Sequence, residues 1–449
     1  MASREQFSSK TGFIMAAAGS AIGLGNIWGF PTQTASNGGA AFVLVYFVMA
    51  FCLAYPALMA ELIIGRHACA NAVTALQLIS NGPRTRALGT GVGLYGVVVA
   101  SLILSFYAIV AGWMLAFFLD PIAKLLGQAE ISQWLTDSSL SRNLTAMIAF
   151  MALTVWIISQ GITNGIEKWS TRLMPVLLAL LVLLIIYVLR QPEAQEGLKV
   201  YLLPDFDRID PSLILNALGQ AFFSLSLGVG TMLIYGSYLS RESNLPRLGV
   251  MVTVVDSGIA FIAGLLIVPA MYVAQAYGAV IFNEDGSLVA GPQLIFQVLP
   301  TLFHSMEGVI GLLVALAFFL LMSIASVTSS ISMLEVPVAL TTEKYGISRP
   351  KATILIGIVI AAISTLILLN FDQLFDAVVT LTTVYSQPLL GALLCIFVGW
   401  IWHRDNLLEE IKKGDPNVES TLFWKIWPFY VRFVCPVLIL ATFVQSLMG

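Results

Sequence analysis

Long apolar runs alternate with short polar or charged segments along the whole chain. A helix needs about 20 residues to cross the ~30 Å hydrocarbon core of a bilayer, and the runs between charges and Pro/Gly clusters are long enough to do so. Eleven spans are predicted, near residues 12–34, 40–65, 88–119, 143–160, 166–190, 213–240, 247–278, 305–340, 350–370, 376–402 and 423–447. The pattern predicts an all-α polytopic membrane protein.

Composition and charge agree with this class and predict an orientation. Of 449 residues, 58% are hydrophobic and 10% are charged, whereas soluble proteins carry about 25% charged residues. With the N-terminus inside, sixteen basic residues fall on the inner side and five on the outer side, and Arg432 lies in the last span, which accounts for all 22. Cytoplasmic loops of membrane proteins are rich in Lys and Arg. We therefore expect a multi-pass protein of the plasma (cell inner) membrane with a cytoplasmic N-terminus.

The residues that enzymes and cofactor sites require are scarce. The three histidines, His67, His304 and His403, lie at span ends or in loops, where they form no zinc-protease or Ser-His-Asp pattern. The chain has no P-loop, and its four cysteines include no extracellular pair. We expect no enzymatic activity, no organic cofactor and no nucleic-acid partner.

One apparent motif belongs to helix packing. Residues 91–96, Gly-Val-Gly-Leu-Tyr-Gly, match the dinucleotide fingerprint G-x-G-x-x-G. That motif needs a preceding strand, whereas this segment opens an apolar span. Small residues in such a span typically allow two helices to approach closely.

Two polar, glycine-rich breaks interrupt spans that are otherwise apolar. Residues 19–26, Gly-Ser-Ala-Ile-Gly-Leu-Gly-Asn, interrupt the first span, and residues 223–230, Phe-Ser-Leu-Ser-Leu-Gly-Val-Gly, interrupt the sixth. Each Gly costs about 1 kcal/mol relative to Ala inside a helix, and unwound backbone at membrane depth is found only inside protein or along a cavity. The alternative for either break alone is close helix packing by a G-x-x-x-G pair, Gly19 and Gly23. Breaks in spans one and six favour two five-helix repeats with a transporter site between them.

Several segments together resemble the neurotransmitter:sodium symporter family, in its bacterial, eleven-helix form. They are Ala18–Trp28 with Phe30-Pro31, Asn37–Ala40, Pro56, Glu61, Gln220–Ser226 and Thr328-Ser329-Ser330. The resemblance covers the whole chain. It implies two inverted five-helix repeats, residues 1–190 and 213–402, followed by a cytoplasmic loop and an eleventh helix in 403–449. The implied activity is Na⁺-coupled uptake of an amino acid by alternating access.

The same resemblance implies two sodium sites and a substrate site. One sodium would be held by carbonyls of Gly19, Ile22 and Ala325 and by hydroxyls of Thr328 and Ser329. The other would be held by Ala21, Asn26, Ser224, Asp256 and the substrate carboxylate, so that ion and substrate improve each other's affinity. The carboxylate would also meet Leu24, Gly25 and Tyr107, and the remaining substrate contacts would be Ala21, Ile103, Phe223, Ser224, Ser226, Val229, Ser329 and Met333. Phe223 and Tyr107 would close over the substrate. Because this pocket has no formal charge, we expect neutral, mainly apolar or aromatic L-amino acids.

The resemblance also implies gates. Arg4, Glu343, Ser237 and Tyr238 would form the cytoplasmic gate, and Gln33 and Asp376 the outer one. Members of the family usually carry Arg at the position of Gly29, so Asp376 lacks its usual partner and is expected to reach Gln33 or water instead. Phe7 stands where Trp is usual. Gly165 and Pro175, separated by nine residues, resemble a family motif that lets the fifth span unwind.

Two acids inside spans need separate roles. Glu61 is expected to accept hydrogen bonds from the unwound sixth span, and Glu335 has no assigned role.

Asp256 replaces an Asn of many relatives. The usual chloride ligands are matched by Tyr46, Gln220 and Ser224, but the fourth position is Ala260. A carboxylate already at the sodium would repel a second anion, so chloride-independent transport is expected, with H⁺ counter-transport when that carboxylate takes a proton after Na⁺ leaves.

Two other functions use the same helical architecture. An ion channel could employ the broken helices as a filter, and a transporter-like receptor could bind an amino acid without moving it. Saturable, stoichiometric uptake would exclude both.

Overall fold

The computed structural model describes residues 4–282, 289, 294–306 and 308–448, and those residues are folded mainly into helices. In chain order the helices are α1 Lys10–Ala21, α2 Gly25–Ser36, α3 Ala40–Ala68, α4 Ala72–Leu78, α5 Pro83–Leu125, α6 Ala129–Thr136, α7 Leu140–Ser159, α8 Ile162–Val188, α9 Ala194–Leu202, α10 Pro211–Ser224, α11 Thr231–Gly236, α12 Leu245–Ala276, α13 Leu294–Phe303, α14 Val309–Tyr345, α15 Arg349–Leu369, α16 Phe371–Ile401, α17 Arg404–Lys412 and α18 Leu422–Gln445.

The long helices reproduce the predicted spans. Within the described residues, nine are long and apolar enough to cross a membrane, and α1 with α2 forms a tenth span that is bent by 55°. The sixth predicted span consists of α10 and α11, which are separated by residues 225–230. Each broken span opens a set of five: α1/α2 with α3, α5, α7 and α8, then α10/α11 with α12, α14, α15 and α16. Because five crossings are an odd number, the second set runs through the membrane in the opposite direction to the first.

The first break results from a local change in hydrogen bonding. Ile22 N donates to Ala18 O at 2.6 Å, but Gly23 N turns to Ala21 O at 3.0 Å, which ends the regular ladder. Hydroxyls from other spans bind the carbonyls of the last turn of α1: Ser329 Oγ lies 3.3 Å from Gly19 O and 3.2 Å from Ser20 O. The break is therefore stabilised by contacts with the second repeat.

The sixth span breaks where its backbone becomes left-handed. Ser226, Gly228 and Gly230 have φ of 52°, 82° and 79°, a region that glycine adopts without strain. Glu61 of α3 accepts hydrogen bonds from Gly228 N at 2.6 Å and Leu233 N at 3.2 Å. The predicted role of Glu61 is confirmed, since it binds backbone donors that the missing turn leaves open.

Two glycine motifs mark close contacts between helices. A Cβ on Gly93 would lie 2.7 Å from Val73 Cα in α4, whereas a Cβ on Gly91 would meet no atom within 4 Å. Helix packing therefore explains Gly93 but not Gly91. In the fifth span, a Cβ on Gly165 would lie 2.3 Å from Ile157 O of α7. Helix α8 is continuous through Pro175, so the span that the Gly165/Pro175 motif is expected to unwind is wound in this conformation.

A buried ion cluster attaches α17 to the end of α3. Arg66 Nε donates to Glu410 Oε1 at 2.9 Å, and Arg66 Nη1 donates to Ser243 O at 2.5 Å. Burial alone would raise the pKa of Glu410, but hydrogen bonds from His67 and Lys413 and the charge of Arg66 lower that pKa to about 2. The cluster thus holds the loop between the last two spans against the loop that follows α11.

Candidate functional site

A cavity of about 380 Å³ lies between the two broken helices. It is lined by Ser20, Ala21, Gly23, Leu24, Gly25, Trp28, Gly29, Thr32, Gln33, Ile103, Phe106, Tyr107, Val110, Phe223, Ser226, Val229, Ser329, Met333, Phe375, Asp376, Val379 and Gln387. The break residues that line the cavity are uncharged, and Asp376 is the only ionisable carboxylate of this lining. Ser226 Oγ donates to Ser20 O at 3.1 Å, which joins the two breaks directly.

One end of the cavity is suited to a carboxylate. Helix α2 begins at Gly25, and Asn26 N and Ile27 N both donate to Gly23 O over a long 3.3 Å. The positive end of the helix dipole therefore lies at the cavity. Tyr107 Oη is buried and has no hydrogen-bond partner among the described residues. A Cβ on Gly23 would lie 2.5 Å from Ser329 Oγ and 3.1 Å from Tyr107 Oη, so only glycine lets the backbone come this close. A helix N-terminus beside a free hydroxyl favours an anionic group.

Beside this end, Asp256 lies in a hydrogen-bonded cluster. Its Oδ1 accepts from Asn26 Nδ2 at 2.7 Å, its Oδ2 accepts from Ser224 Oγ at 2.8 Å, and Tyr46 Oη donates to Ser224 Oγ at 3.1 Å. Asp256 is 0% exposed and forms no ion pair within the described part of the chain. Asn26 Oδ1 is also buried without a partner there. An unpaired buried carboxylate beside an unbound amide oxygen fits a cation. Ala260, also buried, provides no hydroxyl.

A second group of oxygens lies where α1 meets α14. Thr328 Oγ1 lies 3.1 Å from both Ile324 O and Ala325 O, and a Cβ on Gly19 would lie 3.1 Å from Thr328 Cβ. Together with the contact between Ser329 and Gly19, this brings four of the predicted residues to one helix junction: Gly19, Ala325, Thr328 and Ser329. Ile22, the fifth, is the residue that follows the end of α1. Its oxygens are neutral, as a monovalent cation permits.

Below the cavity, the predicted cytoplasmic gate residues are in contact. Arg4 forms an ion pair with Glu343, donates from Nη2 to Ser237 Oγ at 2.9 Å, and lies over the Tyr238 ring at 4.6 Å from its centroid. Glu343 Oε2 also accepts from Asn71 N at 2.8 Å. These contacts join the N-terminal segment to the end of α14 and to the segment after α11.

Phe7 fills the position where Trp is usual. Its ring packs edge-on against Phe13, Tyr235 and Tyr238, with centroids 5.6, 5.7 and 6.3 Å apart. The smaller ring therefore still takes part in an aromatic layer above Arg4.

Glu335 has a partner that sequence reasoning missed. Arg349 Nη1 donates to Glu335 Oε1 at 3.1 Å, its Nη2 pairs with Oε2, and Tyr238 Oη donates to Oε1 at 2.5 Å. The available signal was an Arg at the start of the next span, on the same side of the membrane. Because Tyr238 also contacts Arg4, the two ion pairs form one network.

The outer side differs from expectation. Asp376 was expected to reach Gln33 or water. Both residues line the cavity, but no hydrogen bond joins them among the described residues, and Gln33 Oε1 accepts from Asn37 Nδ2 at 2.8 Å instead. A Cβ on Gly29 would lie 3.7 Å from Gln220 Oε1, so Gln220 occupies the space beside the missing arginine. Phe223 is 37% exposed, and among the described aromatic contacts it forms none with Tyr107. The expected lid is open in this conformation.

Comparison with known proteins agrees with this architecture. The model of the sodium:neurotransmitter symporter family matches residues 4–146 and 138–449. An uncharacterized sodium-dependent transporter of Bacillus subtilis is 34% identical over 455 residues, which cover 98% of this chain and 97% of the relative. A human sodium- and chloride-dependent taurine transporter is 27% identical, over 99% of this chain and 78% of the relative.

A solved structure confirms the predicted fold. The crystal structure of MhsT in complex with L-phenylalanine matches with a TM-score of 0.84 and 37% identity, covering 99% of this chain and 100% of that one. The chain is therefore a multi-pass, sodium-dependent transporter with inverted five-helix repeats and not an enzyme. It belongs to the sodium:neurotransmitter symporter family.

Proposed function

We propose that this symporter carries neutral, mainly apolar or aromatic L-amino acids. The observation that supports this most directly is the central cavity, where an N-terminal helix end and Tyr107 Oη adjoin a pocket formed by Ile103, Val229 and Met333. A charged side chain would lose its water there without gaining a partner. The relative that binds L-phenylalanine supports the same class of substrate.

A ligand screen tests the substrate class. Thermal unfolding of the purified protein is measured with each of the twenty amino acids, in Na⁺ and in K⁺, since a bound ligand stabilises the folded state. We expect leucine, phenylalanine, tyrosine or tryptophan to raise the unfolding temperature in Na⁺ only. Uptake of the stabilising amino acids into proteoliposomes follows. Efficient uptake of lysine or glutamate, with none of the apolar or aromatic amino acids, would contradict the proposal.

Two sodium ions would couple to this substrate through different oxygens. The proposed first ion contacts Asn26, Ser224 and Asp256 together with the substrate carboxylate, which explains why Asn26 Oδ1 is left without a partner. The proposed second ion bridges α1 and α14. Because both sites join the first span to its neighbours, Na⁺ would favour the conformation in which these helices are packed together.

Chloride independence is the expected consequence of Asp256. This buried carboxylate lies where an anion would otherwise balance the cations, and the fourth chloride position is Ala260. Once Na⁺ leaves, a carboxylate without a counter-ion favours taking up a proton. H⁺ counter-transport on the return step is therefore part of the proposal.

Alternating access would use the two gates in turn. We propose that the repeats 1–190 and 213–402 move relative to each other, with Arg4 and its partners opening toward the cytoplasm and the region around Gln33 and Asp376 closing outside. The segment 403–449 would remain peripheral to this motion, in the plasma membrane. Uptake that saturates with a fixed ratio of Na⁺ to amino acid would exclude a channel and a receptor.

A further inference from the structure

A second cavity, of about 310 Å³, lies between the end of α16, helix α17 and the first half of α18. Three cationic side chains line it, Arg404, Lys425 and Arg432, together with Trp402, Phe429 and Phe433. Its described lining contains no carboxylate, and none of the three cations forms an ion pair with a described residue. This arrangement has no role in the transport site.

The surroundings of Arg432 indicate which environment the cavity faces. It lies level with the last turn of α16, where Gly399 approaches it so closely that a Cβ would come within 2.7 Å of Arg432 Cα. Its guanidinium lies 4.2 Å from the centroid of Trp400. Trp400, Phe429 and Phe433 are 54%, 59% and 41% exposed. Exposed aromatic rings at the end of a span are typical of the bilayer interface, so we expect lipid headgroups near this cation.

A cation at that depth needs an anion. Charged side chains inside or beside the hydrocarbon layer are unfavourable without a counter-charge, and the described residues supply none here. The anion available at this level is the phosphate of a phospholipid, which a guanidinium binds through two parallel hydrogen bonds. Basic pockets between spans on the cytoplasmic side are suited to anionic headgroups. Three cations without an acid would repel the ammonium of a zwitterionic headgroup.

We propose that the cavity formed by Arg404, Lys425, Arg432 and the neighbouring aromatic residues binds the headgroup of one anionic phospholipid. The phosphate lies between Arg432 and Lys425, and Arg404, held over Trp424 with its guanidinium 5.6 Å from the ring centroid, borders the headgroup. The acyl chains extend along Phe429 and Phe433. The site lies on the same side of the molecule as the gate residue Arg4.

Lipid binding to the purified full chain tests this site. The double variant Lys425→Gln with Arg432→Gln is compared with wild type, using dioleoyl phosphatidylglycerol, dioleoyl phosphatidylcholine and inorganic phosphate as probes. Native mass spectrometry counts the lipids retained, and thermal unfolding measures their effect. We expect wild type to prefer phosphatidylglycerol by about tenfold or more, and this preference to be lost in the double variant.

Matched variants separate the site from general charge and from misfolding. Arg84→Gln with Arg86→Gln removes two exposed cations from the same side and is expected to keep the preference, as is Arg432→Lys, which keeps the charge. Equal phosphatidylglycerol retention in wild type and the Lys425/Arg432 variant would overturn the proposal. Stabilisation by inorganic phosphate equal to that by the lipid would also overturn it, since the site would then bind a free anion.

Discussion

Asn26 Oδ1 and Tyr107 Oη are buried and have no hydrogen-bond partner in the described chain. A buried polar atom without a partner is unfavourable by about 1–3 kcal/mol. Tyr107 lines the cavity and Asn26 follows the lining residue Gly25, so the two atoms are consistent with ligands that complete the site. The amide oxygen is an acceptor and fits a cation. The phenol is a donor and fits a carboxylate. These two atoms therefore favour an ion and an amino acid bound side by side.

Removing a sodium ligand should weaken ion binding specifically. In Asn26→Ala or Thr328→Ala the remaining oxygens cannot replace the lost contact, so we expect the apparent Na⁺ affinity to fall about tenfold or more. Na⁺-dependent uptake into proteoliposomes measures it. Thr353→Ala is the control, because that buried hydroxyl contacts only its own helix, at Arg349 O. Unchanged Na⁺ dependence in both site variants would show that the sodium sites lie elsewhere.

Asp256→Asn tests the proposed substitute for chloride. The change removes the only carboxylate of the Asn26–Ser224 cluster while keeping its shape, so the cations lose their balancing charge. We expect uptake by wild type to be the same in chloride and gluconate, and uptake by the variant to be reduced and partly restored by chloride. Wild-type uptake that stops in gluconate would refute chloride independence.

At the scale of helices, glycine positions decide which elements can touch. Gly93 contacts α4 so closely that a Cβ would lie 2.7 Å from the backbone of Val73, whereas Gly91, two residues earlier on the same helix, faces open space. Gly93→Ala must push α4 and α5 apart, and we expect a lower unfolding temperature. Gly91→Ala adds helix propensity of up to about 1 kcal/mol without a clash and serves as the matched control. Equal effects would mean that α4 does not pack on Gly93.

The spans and both breaks were predictable from the sequence, because apolar length and clustered glycines act locally. The ends of the spans were less predictable. Helix α5 extends over Pro83–Leu125 instead of 88–119, since Lys124 pairs with Asp120 one turn earlier and keeps the helix wound beyond the apolar run. The short helices between spans carry no long apolar run, so hydropathy does not reveal them.

The site residues were predicted from the family resemblance. Contacts between residues on different helices could not be predicted in this way. Glu335 and Arg349 are fourteen positions apart on different helices, and only packing brings them to Tyr238. Asp376 was expected to reach Gln33 or water, whereas Gln33 accepts a hydrogen bond from Asn37, four residues away at the end of its own helix. A local hydrogen bond of this kind satisfies Gln33 without a contact across the cavity.

At the scale of the whole molecule, the two sets of proposed gate residues differ. Arg4 and Glu343 form an ion pair, while Phe223 is exposed in a cavity that extends to Gln33 and Asp376. One sequence must encode both this conformation and its converse. Local patterns do not indicate which of the two is populated, since that depends on ligands bound at the junction of the repeats.

The Arg4 network contacts a cysteine that can serve as a chemical label. Arg4 Nη1 donates to the carbonyl of Cys69 at 3.1 Å, and this cysteine is partly exposed, while Cys395 and Cys435 are buried. Cys52 is exposed but lies in the middle of the apolar span α3, where a membrane-impermeant reagent does not reach. When Arg4 releases Glu343, we expect the Cys69 thiol to become more open to water. A membrane-impermeant maleimide applied from that side should label the chain faster in K⁺ than in Na⁺, with Cys69→Ser as the blank. Mass spectrometry of the labelled protein would then report the position of the gate without an introduced cysteine. Equal labelling rates in the two salts would show that Na⁺ does not control this gate.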